Sequence, residues 1–136
     1  MLFKFLGKYR DAGLLLMRIG LGVIFMIHGL PKLGGGPKMW HGIGEAMGNL
    51  GVHVFPTFWG FMAAITEGVG GLLLVLGAFY RPTALLLAFT MTVAALHLAH
   101  GAKNPAFGTY AYPLTMVFVF AGLAFIGPGR LSIDKD

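Results

Sequence analysis

Glu67 is the residue of this chain best placed to do chemistry. It stands in Pro56 to Phe79, PTFWGFMAAITEGVGGLLLVLGAF, with apolar or small residues on both sides. At 1.5 Å per residue, residues 55–79 span ~36 Å, enough to cross the hydrocarbon core with some tilt, and Glu67 falls close to the middle. A carboxylate at that depth is costly and reads as functional, the alternative being a protonated Glu hydrogen-bonded for packing alone. Gly60, Ala64 and Gly68, flanked by Ala63 and Gly71, put small residues on its face of the helix, whereas Leu74 reads as lipid-facing. Neighbouring helices can come close on that small face, so Glu67 is expected to point into a bundle.

The groups that can serve Glu67 are few. In the first apolar segment, Arg18, Leu21, Phe25 and His28 share a broad helical face. Arg18 lies ~9 Å from one end of that segment, so it either snorkels to the headgroups or pairs with Glu67. Lys32 follows in the same half of the membrane and joins His28 as a candidate ligand contact. His97 and His100, at i and i+3, can converge on one ligand, although a histidine at a helix end such as His100 also reads as an interface residue. If the turn before the third span centres near Tyr80, Glu67 faces Val93 and Ala94 and His97 lies one turn further on. His41 and His53 read as solvated interface residues, and no metal site is assigned. With no cysteine in the chain, thiol chemistry and thiolate-held metals are outside its own repertoire.

These residues need a membrane scaffold. With 57% hydrophobic residues, 11% charged residues and a mean hydropathy of +0.78, the chain has too little polar surface to enclose a soluble core. It reads as a single all-α integral membrane domain: a transmembrane four-helix bundle with spans at about 12–30, 55–79, 83–100 and 111–127. Gly29 and Pro31 are expected to stop the first span, and Pro113 to open the fourth. Between the first two spans, Trp40, Ile43, Met47 and Leu50 recur at helical spacing, predicting a short amphipathic helix at the interface. Residues 1–11, MLFKFLGKYRD, read as an interfacial anchor rather than a cleaved signal, because Arg18 interrupts the apolar run and no small-residue cleavage site follows.

The net charge of +5 follows from topology and gives no reason to expect nucleic acid as a partner; the lipid bilayer is the partner it implies. Lys4, Lys8, Arg10, Arg81, Arg130 and Lys135 lie on the side of the termini, against Lys32, Lys38 and Lys103 on the other. By the positive-inside rule both termini are expected in the cytoplasm, in a multi-pass protein of the cell (inner) membrane.

RIGLGVIFMIHGLPKL, from Arg18 to Leu33, resembles the first-helix signature of the DoxX family of small four-helix membrane proteins. EGVGGLLLVLG resembles that family's second helix, Arg81 with Pro82 its tight turn into the third, and GPGRLSID its tail. The resemblance covers nearly the whole chain. One departure is TYAYP with Ala111, where many members carry a second acidic residue near the start of the last helix; a mechanism needing two carboxylates is not supported here. The resemblance implies membrane-linked redox metabolism, since the family takes its name from a membrane quinol oxidase and relatives are linked to thiosulfate and quinone oxidation.

Three readings of the Glu/His cluster follow. His28 and His97 sit at ~24 Å and ~22 Å along their helices, the depth match that a bis-histidine heme requires, but any two outer-end histidines reach similar depth, so heme is disfavoured. Four short spans without a visible inverted repeat leave little room for a transport path unless the protein forms a homo-oligomer. A quinone suits the residues better: its two carbonyl oxygens take up protons on reduction, which calls for a donor and a proton carrier in a pocket open to lipid. On this reading Glu67 is the catalytic proton carrier, with His97, His28, Arg18, Lys32 and His100 as candidate ligand contacts. The alternative is a non-catalytic membrane anchor or assembly subunit for a partner redox enzyme.

Overall fold

In a computed structural model, which describes residues 1–101 and 103–135, every regular element is helical. A 3-10 turn, Lys4–Tyr9, leads into α1 (Arg10–Gly34); α2 (Gly36–Gly44) and a second 3-10 turn (Glu45–Leu50) precede α3 (Pro56–Leu76), α4 (Tyr80–His100) and α5 (Phe107–Ile126). Among the described residues, four helices are long and apolar enough to cross a membrane: α1 with its lead-in turn, α3, α4 and α5. Lipid therefore takes the place of water around Leu16, Ile27, Leu85, Phe118 and Phe125, all exposed on the bundle's outside.

The bundle is a pair of pairs. α1 packs along α3, α4 packs along α5, and α3 and α4 join the two halves. At the α1–α3 crossing a side chain on Gly29 would collide with the backbone of Gly68, and one on Gly22 with that of Gly71. These backbone contacts are the close approach expected of the small face that carries Glu67. The core between the pairs is Phe25, Leu74, Leu87, Met91, Phe120 and their neighbours, with Phe25 and Phe120 edge to face at 5.1 Å. Leu74, which read as lipid-facing, is 1% exposed and belongs to this core.

Several helix boundaries differ from the sequence reading, including the end of α3, at Leu76 instead of residue 79. α1 runs through Pro31 to Gly34: losing one backbone N–H does not end a helix whose last turns are packed against Gly68. α5 starts at Phe107 and carries Pro113 within it. α4 begins at Tyr80 instead of residue 83, because the tail caps it: the Asp134 carboxylate accepts from the Phe79 N–H at 3.0 Å and the Tyr80 N–H at 2.8 Å.

Arg18 belongs to the same knot. It is 2% exposed, so it does not snorkel, and it does not pair with Glu67. Its guanidinium donates to the carbonyls of Leu74 (3.0 Å) and Val75 (2.8 Å) at the end of α3, and to those of Pro128 (3.1 Å) and Leu131 (2.8 Å) in the tail. Gly77, with φ of 68°, lets its own N–H return to Leu74 and that of Ala78 to Leu73, while Ile133 N–H donates to Leu76. All four carbonyls that the end of α3 leaves open are thereby satisfied. The planar fork of Arg18 reaches four acceptors in two segments, which a single ammonium cannot do.

Candidate functional site

Glu67 is 6% exposed, and its partner is a residue of the α1 extension. Lys32 Nζ lies 2.7 Å from Glu67 Oε2, with the carboxylate side chain 7% exposed and the lysine 31%. Because α1 continues past Pro31, Lys32 stays on the α3-facing side of the helix, one turn beyond the Gly29 crossing. Its own backbone is held as well. The Lys32 carbonyl accepts from the Gly35 N–H at 3.1 Å and from the Trp40 indole Nε1–H at 2.8 Å.

Trp40 ties α2 to both long helices, since its ring also packs on Phe61 at 4.8 Å. The segment between the first two spans is helical, as its spacing predicts, and it lies along the first half of α3. There Gly44 meets the backbone of Pro56, and Gly60 meets the backbone of Trp40, so closely that neither has room for a side chain. The sharp entry into α2 is made at Gly36, whose φ is 81°.

Under α2 and the following 3-10 turn lies a cavity of about 660 Å³ along the α3–α4 groove. Met39, Ile43 and Met47 form its roof, Trp59, Met62, Ala63 and Glu67 its α3 wall, and Phe89, Val93 and His97 its α4 wall. Thr66 and Thr90 also line it, but their hydroxyls donate to Met62 and Leu86 of their own helices. The charged side chains on its walls are Lys32, Lys38 and Glu67.

His97 and Glu67 share this cavity at different levels. The α3–α4 turn joins Leu76 to Tyr80 and so centres on residue 78, and Gly70 correspondingly faces Thr83 and Leu87. Position i therefore faces about 156 minus i, which puts Glu67 opposite Phe89 and His97 opposite Trp59. The two levels are eight residues apart, ~12 Å along the helix axis, twice the one turn expected from a centre at Tyr80. One compact group cannot reach both directly.

The other candidates lie elsewhere. Arg18 serves the tail knot. His28 is exposed, with Nδ1 2.9 Å from the Ile24 carbonyl, and it does not line the cavity. His100 is exposed beyond the lining as well. His41 pairs with Glu45 four residues on, at 3.2 Å, a partner the sequence reading overlooked; with His53 they line a separate, polar hollow of about 390 Å³. No group of three or more metal-ligating side chains is assembled among the described residues. Tyr112 of α5, next to Ala111, lies close enough to Glu67 for an electrostatic interaction.

Sequence reasoning found Glu67 and listed Lys32, but not their pairing. The signal that hid it was Gly29 with Pro31, which read as a helix end and placed Lys32 in a loop. One pattern offered a clue: Lys32 is seven residues beyond Phe25 and fourteen beyond Arg18, in register with the first span's inward face.

Comparison with known proteins agrees with this architecture. The family model described as DoxX matches residues 13–101. Inner membrane protein YphA of Escherichia coli (strain K12) is 31% identical over 135 residues, covering 95% of this chain and 93% of the relative. Inner membrane protein YqjF of the same strain is 33% identical over 129 residues, covering 94% of each. The protein named "Putative oxidoreductase CatD" of Bacillus subtilis (strain 168) is 29% identical over 129 residues, covering 95% of this chain and 90% of the relative. No solved structure matches.

Proposed function

We propose, from the premise that this chain belongs to the DoxX family of membrane proteins, that it binds a quinone-type headgroup at the Lys32–Glu67 pair and acts in membrane-linked redox metabolism. The observation that carries the reading is the ion pair itself, sited at a wall of an apolar cavity between membrane-spanning helices. Pockets of this size, mostly apolar with a few convergent polar groups, suit a small organic ligand. The name of CatD supports an oxidoreductase role, and the family resemblance supports quinone as the redox carrier.

The residues fit such a group. A quinone supplies two-electron, two-proton redox chemistry when bound. Lys32 carries three donor hydrogens, of which Glu67 engages one, so another is free to meet a carbonyl oxygen. Glu67 is the proton carrier beside that oxygen, and proximity to Lys32 keeps its carboxylate oriented toward the cavity. Met39, Met47 and Phe89 exclude water around the pair. His97, at the other level, serves proton exchange with the membrane surface rather than the headgroup. Electrons come from a partner redox protein in the same membrane. Both termini are assigned to the cytoplasm from the distribution of basic residues.

Purified protein should release quinone on extraction with organic solvent. Glu67→Gln and Lys32→Met should each retain about tenfold less, with helical content unchanged, as expected for loss of one charge-assisted contact. Equal retention by parent and both variants overturns the binding site. If even the parent releases none and binds none when it is supplied, a non-catalytic anchor or assembly subunit becomes the better reading.

A further inference from the structure

The cavity has a rim that faces lipid, and this bears on what kind of molecule enters. On α4, Leu86 and Phe89 line the cavity yet are 55% and 49% exposed; on α3, Met62 lines it at 40% exposure. By the α3–α4 register, Phe89 stands level with Glu67, and Leu86 about one turn toward the α3–α4 turn. A side chain that touches the cavity and is half-exposed on a spanning helix marks an opening to the bilayer. The opening thus lies at the depth of the ion pair, close to the middle of the span. At the far end, eight residues away along α3, Trp59 and His97 bound the cavity near the ends of their helices.

This arrangement separates the two ends of a ligand. A headgroup with a hydrogen-bonding oxygen is held at Lys32 and Glu67, where the charged groups are. Anything attached to that headgroup leaves past Leu86 and Phe89 into the hydrocarbon. Met62, Leu86 and Phe89 are all uncharged, so a polar substituent finds no partner on them, whereas an alkyl or isoprenoid chain meets apolar surface.

Resting on the quinone reading above, we infer that the site selects a lipid-resident, tailed molecule that enters sideways from the bilayer across Leu86 and Phe89, and that these two residues set the preference for a tail. Substrates dissolved in water and lacking a tail are then poor ligands even when their headgroup is the same.

The test uses the full chain in lipid nanodiscs with Trp40→Phe, which leaves Trp59 on the cavity wall as the reporter fluorophore. Two probes are titrated: a benzoquinone with a ten-carbon alkyl tail, and the same headgroup with a methyl in its place. Concentrations are corrected for partition into protein-free nanodiscs. The tailed probe should quench Trp59 with an affinity at least about tenfold higher than the methyl probe. Leu86→Ala with Phe89→Ala should cut that preference below about threefold. Equal affinities in the parent, or a full preference kept by the rim variant, overturn lateral selection while leaving headgroup binding intact. Failure of both probes to quench overturns the quinone reading and this inference together. Because both rim residues face lipid, their truncation leaves the core intact, and unchanged thermal unfolding of the variant confirms it.

Discussion

The Lys32–Glu67 pair is asymmetric, and the asymmetry decides what each substitution does. Glu67 is almost fully enclosed and Lys32 is a third exposed. Lys32→Met strands a carboxylate among apolar walls and should cost about 3 kcal/mol, whereas Glu67→Gln leaves a lysine able to turn toward polar surroundings and should cost less. Combining the two should recover part of the Lys32→Met loss, and unfolding of all four forms in one detergent measures that coupling. Purely additive losses would show that the two side chains do not act as a pair. Arg18 is the contrasting case, a charge spent wholly on structure. Arg18→Lys keeps the charge but loses the fork that reaches four carbonyls, so stability should fall by about 2–3 kcal/mol. Quinone retention per folded molecule should stay at the parental level. A selective loss of retention would return Arg18 to the ligand site.

Helices meet the site through glycines. Gly29 lies against the backbone of Gly68, but Gly13 on the same helix has open space where a side chain would go. Gly29→Ala should therefore lower the melting temperature by several degrees through separation of α1 and α3, while Gly13→Ala stays within about 1 kcal/mol of the parent. Equal melting curves would place the α1–α3 contact elsewhere. Gly60→Ala should push α2 off α3 and open the cavity roof, giving faster loss of bound quinone with less effect on unfolding. At this scale the sequence was legible where the cause is local. The small face of α3, the enclosed Glu67 and the helical spacing of Trp40, Ile43 and Met47 all depend on neighbours within a few turns. It was illegible where the cause is distant. Asp134 caps α4 from 54 residues away, and that cap moves the helix start and, with the Gly77 turn, the level of His97. Pro31 was a true local signal overruled by packing against Gly68.

At the scale of the molecule, the four membrane-spanning helices among the described residues, and a tail tied beneath the α3–α4 turn, put the lead-in turn and the tail on one side and α2 on the other. A reporter active only outside the cytoplasm should be silent at the C-terminus and active when inserted near Gly44; the reverse would invert the assignment of every residue to its leaflet. On the proposed function, Glu67 handles the protons of a bound redox carrier. Reduced-minus-oxidised infrared difference spectra of the quinone-loaded protein test that directly, since a carboxyl group that gains or loses a proton changes its C=O stretch. The parent should show a carboxyl difference band that disappears in Glu67→Gln while the quinone bands remain. A carboxyl band that survives in Glu67→Gln, or quinone bands with no carboxyl change in the parent, would contradict a proton-carrying role for Glu67.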